Sequence, residues 1–89
     1  MIKYTIYTEN TNLKGITKAL NNSKVINGCY TVTKTLEYWK GKAEHSLKIE
    51  ILLPKYYNAL LKAICEHIKD INEQEAVLLT TENIKTEVI

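Results

Sequence analysis

Two cysteines, two histidines and ten carboxylates are the residues of this chain whose chemistry could hold a metal ion or attack a substrate. The spacing of Cys29, Cys65, His45, His67 and the neighbouring Glu44 and Glu66 decides whether they do. No Cys-x-x-Cys, His-x-x-x-His or His-Glu-x-x-His run occurs, and on a helix Cys65 and His67 would point about 200° apart, so one ion cannot take both. A nucleophile needs a base held against it, and no elbow or triad pattern accompanies Cys29. Gly15, Gly28 and Gly41 are isolated, which removes a phosphate-cradling loop. Glu73 and Glu75, the closest pair of carboxylates, fall in a polar loop segment. The expectation is a non-enzymatic protein with no catalytic residue, no metal and no cofactor.

The charged residues argue against nucleic acid as a partner. All twelve basic residues are lysine, so the arginine fork that reads guanine, phosphate and carboxylate bidentately is missing. The bias toward Lys, Ile and Asn fits an AT-rich genome. Net charge is +2, unevenly spread: residues 1–48 carry eight lysines against Glu9, Glu37 and Glu44, a net of +5, and residues 49–89 carry a net of −3. Such a split favours head-to-tail association of identical chains. The longest apolar runs, Ile51–Leu53 and Ala76–Leu79, are far short of the ~18 residues that cross a membrane, and an N-terminal apolar h-region is lacking. A cytoplasmic protein is expected, with Cys29 and Cys65 as reduced, buried thiols.

The most pointed cluster is Tyr38, Trp39, Lys40, Gly41 and Lys42. It falls where two long strands fold back on each other, Cys29–Trp39 and Ser46–Leu53. In the second strand Leu47, Ile49, Ile51 and Leu53 alternate with Lys48, Glu50 and Leu52. In the first, Tyr30, Val32, Leu36 and Tyr38 share one parity, and Thr31, Thr33, Thr35 and Glu37 the other. Trp39 has the threonine parity, so it is expected on the open face, as a contact for another molecule.

The flanking elements must supply a cover for the apolar face. A first strand spans about Ile2–Thr8. Thr11 or Asn12 caps a helix whose Leu13, Ile16, Ala19 and Leu20 form one stripe, weakened by about 1 kcal/mol at Gly15. Asn21, Asn22 and Ser23 end it. Pro54 suits the first turn of a second helix, about Lys55–Asp70, striped by Tyr57, Leu60, Leu61, Ile64, Cys65 and Ile68. Ala76–Thr81 reads as a strand buried on both faces or centrally placed, and Ile84, Thr86 and Val88 mark an extra C-terminal strand. At 89 residues and 10.2 kDa this is one domain, burying roughly 9,500 Å² on folding. The order βαββαβ predicts an α+β, ferredoxin-like antiparallel sheet with two helices on one face, plus that added strand.

The run Gly28-Cys29-Tyr30, followed by Glu37-Tyr38-Trp39-Lys40-Gly41-Lys42-Ala43-Glu44 and an apolar strand, resembles the CutA proteins of the PII-like superfamily. In that family a cysteine enters a long second strand, a Tyr-Trp-Trp-type turn carries Lys, Gly and Glu, and a Val/Ile-rich strand follows. The likeness covers about Gly28–Leu53. It implies a trimer whose hairpins and final strands pair between subunits, and a divalent metal or small anion bound between subunits through Cys29, His45 or Glu44. The chain departs from the family in its shorter first half and its missing C-terminal segment, so metal binding is not carried over. A second pattern, Trp39, Gly41, Glu44 and Ser46 with Asn72, Gln74, Glu75, Ala76, Val77 and Leu78, is similar to small phage and mobile-element proteins. It places Gln74 and Glu75 beside Glu44, as a hydrogen-bonded corner or a ligand pocket.

The expected function is therefore a small self-associating binding module, a dimer or trimer of phage or mobile-element type, acting on a host protein or small ligand. Tyr38, Trp39, Lys40 and Lys42 would form the contact.

Overall fold

The computed structural model describes residues 1–89, as β1 (Ile2–Glu9), α1 (Leu13–Asn21), β2 (Thr31–Trp39), β3 (Lys42–Leu53), α2 (Asn58–Asn72) and β4 (Leu78–Asn83). The strands form one antiparallel sheet in the order β2-β3-β1-β4, the ferredoxin-like arrangement that the element order predicts. Ile2, Tyr4 and Ile6 of β1 and Leu47, Ile49, Ile51 and Leu53 of β3 form one buried row across the two central strands. Ile16 and Leu20 of α1 and Leu61, Ile64, Cys65 and Ile68 of α2 close over that row in a single core, so both helices lie on one face. Burying each such aliphatic side chain contributes about 1.5–3 kcal/mol, which is what holds the two layers together.

The helix starts are set by polar contacts. The Asn12 side chain accepts a 3.0 Å hydrogen bond from the Gly15 N–H and caps α1. A Cβ at Gly15 would stand 2.7 Å from that capping amide, so the glycine makes room for the cap and is not merely a weak point in the helix. α2 begins at Asn58, three residues after the expected start at Lys55. The reason lies in β1. The fully buried Tyr4 hydroxyl accepts from the Tyr57 N–H at 2.7 Å and donates to Asn58 Oδ1 at 2.6 Å, fixing the first turn there. At the other end Glu73 takes the left-handed conformation (φ 52°), with its N–H on the Asp70 carbonyl and the Gln74 N–H on that of Lys69.

Several expectations are corrected. α1 ends with Asn22 in the right-handed region, and the left-handed residues of that connection are Asn27 and Gly28. β2 starts at Thr31, because Cys29 lies in the preceding turn and is exposed. β4 is an edge strand and not a central one; Leu78 is exposed and Leu79 half-buried. The C-terminal strand does not form within the chain. Ile84 exchanges hydrogen bonds with Met1 (2.9 and 3.2 Å), after which β1 offers no further partner, and Lys85–Ile89 run on without one. The accessible surface, 6267 Å², exceeds the ~5,300 Å² expected of a compact chain of this mass. That lowers the area buried on folding to about 8,500 Å².

Replacing Tyr4 by Phe leaves the Tyr57 N–H and the Asn58 side chain without their partner in a buried setting. We expect a loss of about 1–3 kcal/mol, read in urea as a lower midpoint at unchanged slope. A loss below a few tenths would show that Tyr4 does not hold the start of α2.

Candidate functional site: the hairpin arm and the open sheet face

β1 ends with Glu9 opposite Ser46 of β3. Before that point β3 still has Lys42–His45, which pair with Leu36–Trp39 of β2; on the β1 side only the His45 carbonyl finds a partner, the Asn10 N–H at 3.1 Å. The β2–β3 hairpin therefore projects past the sheet as a two-stranded arm, and the molecule extends 40 Å along its longest axis against 25 and 20 Å across. Lys40 (φ 50°) and Gly41 (φ 78°) form its tip, a two-residue turn with both residues left-handed, the type whose twist matches a hairpin.

The arm carries the largest apolar side chains left in solvent on regular structure. Tyr38 is 71% exposed, Trp39 67% and Leu36 55%. The register puts Leu36 and Tyr38 in the row facing the helix side, with His45 and Ala43, whereas Trp39 and Glu37 share the open-face row with Lys42 and Glu44. Tyr38, Trp39, Lys40 and Lys42 thus stand together at the tip, but the two aromatic rings project from opposite faces. Glu37 lies directly across from Glu44, a like-charge pair that weakens the arm slightly.

The corner expected around Glu44, Gln74 and Glu75 has different members. Gln74 Oε1 accepts from Thr8 Oγ1 (2.5 Å) and Asn72 Nδ2 (2.8 Å), and Asn72 Nδ2 also reaches Thr8 Oγ1 and the Glu9 carbonyl. Glu44 stands out on the arm, and Glu75 is exposed in the loop. Asn72 belongs to the sequence pattern that carries Gln74, whereas Thr8 looks like an element end in the sequence, and only the fold brings the two together over 64 residues.

The open face holds a second feature that sequence reasoning missed. Lys3 Nζ lies 2.8 Å from Glu50 and Lys48 Nζ 3.8 Å from it. The hydrogen bond from Lys3 holds the Glu50 carboxyl below the usual range, and the same bond raises the Lys3 amine. Lys3 and Glu50 line a shallow cleft of about 470 Å³ together with Cys29, Thr31, Leu52 and Ile84. His45 is exposed on the arm, and His67 sits at the groove between α1 and α2. The candidate metal ligands do not converge: no group of three or more His, Cys, Asp or Glu side chains comes together in one chain.

This architecture has known counterparts. A DUF3240 family protein from Shewanella baltica OS155 superposes with a TM-score of 0.73 at 12% identity, covering 99% of this chain and 93% of the other. CPII, a nitrogen regulatory PII-like protein from Thiomonas intermedia K12, bound to ADP, AMP and bicarbonate, gives 0.67 at 16% identity over 99% and 93% of the two chains. The chain shares the ferredoxin-like fold of these proteins. A Bacillus cereus protein related to NIF3 gives 0.68 at 14% identity, over 96% of this chain and 25% of that one. No protein-family model matches the sequence, and no curated protein does. Within this ferredoxin-like fold no helix is long and apolar enough to cross a membrane.

The two thiols should differ sharply in reactivity. Burial, with a smaller push from Glu66, raises Cys65 to about 11, whereas Cys29 is exposed. Labelling with a disulfide reagent at pH 8 should modify Cys29 quickly and Cys65 only at the rate of unfolding. Equal rates would contradict the burial of Cys65.

Proposed function

We propose that this protein is a small, non-enzymatic regulatory module that works as a homo-oligomer and responds to a small ligand or a protein partner through its hairpin arm. The observation that carries this reading is the arm itself. Leu36, Tyr38 and Trp39 are held in solvent on a regular strand, where exposure has no structural benefit within one chain. Lys40 and Lys42 add positive charge beside the rings, which suits an acidic or anionic contact. The PII-like fold fits such a role, and the AT-rich residue usage fits a phage or mobile-element origin with a host protein as partner.

A second reading is favoured by the neighbour bound to ADP, AMP and bicarbonate. Here a trimer binds a small anion or divalent metal between subunits, using Cys29, His45 or Glu44. Since these residues are spread along one chain, the site would need a second copy.

Trp39 is the only tryptophan, so its fluorescence reports on the arm tip directly. Titration with ADP, AMP, bicarbonate, zinc and copper should give a saturable change for at least one ligand under the second reading and flat curves under a purely protein-directed one. For the leading reading, wild-type protein should have a mass that is a multiple of 10.2 kDa. The double variant Trp39→Ala with Lys40→Ala should lower that mass or abolish partner capture. Unchanged mass and unchanged capture would remove the arm from the function.

A further inference from the structure

We infer that two copies of this chain join through the free edges of β2, antiparallel, about a two-fold axis perpendicular to the sheet beside Thr35, making one continuous eight-stranded sheet. The inference rests on the reading of the protein as a homo-oligomer and names the surface that joins it. β2 is an edge strand of nine residues, paired on one side only. It contains no proline, and its register with β3 runs unbroken from Thr31 to Trp39, so neither a proline nor a bulge blunts this edge, and Lys34 and Glu37 are its only charged residues.

The turn fixes which backbone groups are free. Trp39 and Lys42 flank a two-residue loop and so form a hydrogen-bonded pair, and the alternation then directs Thr31, Thr33, Thr35 and Glu37 toward β3. Val32, Lys34, Leu36 and Tyr38 direct their N–H and C=O groups outward. Centring the axis on Thr35, the middle of the strand, overlaps all of β2 with its copy and gives every outward group a partner.

The side chains agree with that register. Val32 of one copy meets Tyr38 of the other, Lys34 lies beside Leu36, Thr33 faces Glu37, and the two Thr35 hydroxyls face each other. Aromatic with β-branched and Thr with Thr are favourable cross-strand pairs. Sliding the copies so that the axis falls on Lys34 sets two lysines face to face, and sliding it to Glu37 sets two carboxylates together. The register centred on Thr35 thus sets no like charges face to face, and the pairing covers Leu36 and Tyr38.

Variants with one exposed cysteine, in a Cys29→Ser background that keeps only the buried Cys65, test the register. Thr35→Cys should form a disulfide-linked dimer under mild oxidation, since facing residues at a non-hydrogen-bonded position have Cα atoms ~4.5 Å apart. Thr33→Cys should not, being offset from its own copy by about 13 Å. In sedimentation equilibrium, Leu36→Lys, which sets a lysine against Lys34 twice, should weaken the dimer about tenfold, and Leu36→Glu should preserve or tighten it. Crosslinking at Thr33→Cys equal to that at Thr35→Cys, or a mass indifferent to both Leu36 variants, overturns the inference. If these fail while the Trp39 and Lys40 double variant still changes mass, only the β2 pairing falls. If Thr35→Cys crosslinks while the Trp39 response is flat, the pairing stands and the ligand reading falls.

Discussion

The length mismatch between β3 and β1 shapes this molecule. β3 has twelve residues and β1 eight, and antiparallel pairing exhausts β1 at Glu9 opposite Ser46. From Ser46 to Leu53, β3 is flanked on one side by β1 throughout and on the other by β2 as far as Glu50; its odd-numbered residues from Leu47 onward are sealed under two helices. Over Lys42–Glu44 it has β2 alone, with neither helix above it. The same alternation that buries Leu47 and Ile49 leaves Leu36, Tyr38 and His45 in water, because the layer that would cover them stops.

That mismatch also separates stability from function. The core is closed by residues of β1, the later part of β3 and the helices, and the Tyr4 hydroxyl and the Thr8, Asn72 and Gln74 corner tie the helix ends to β1. Substitutions on the arm leave those contacts untouched, so the arm is free to carry exposed aromatic and basic residues. Its length, regular register and neutral edge suit pairing with another strand, while its tip offers two rings on opposite faces.

The alternation in β3, the helix stripes and the βαββαβ order were legible in the sequence because each is a local, periodic signal. Helix boundaries were less so. Pro54 is a sound start signal, yet α2 waits until Asn58 for a hydroxyl that comes from 54 residues away. The contact of Thr8 with Asn72, the Lys3–Glu50 pair and its cleft are long-range products of the register and carry no pattern of their own. The exposure of Cys29 and the unpaired tail follow from where neighbouring strands end, which no window along the chain records. Tyr38, Trp39, Lys40 and Lys42 could be grouped in advance, since a two-residue turn with Gly41 is itself a sequence signal.

Amide hydrogen exchange followed by NMR across a range of protein concentrations tests the central claim most directly. The amides of Thr33, Thr35 and Glu37, which face β3, should be protected at every concentration if the arm is a formed hairpin. Those of Lys34, Leu36 and Tyr38, which face outward, should exchange fast in dilute protein and slow as concentration rises. Outward amides that stay fast at all concentrations would contradict the account of β2 as a pairing edge, and unprotected inward amides would contradict the arm itself.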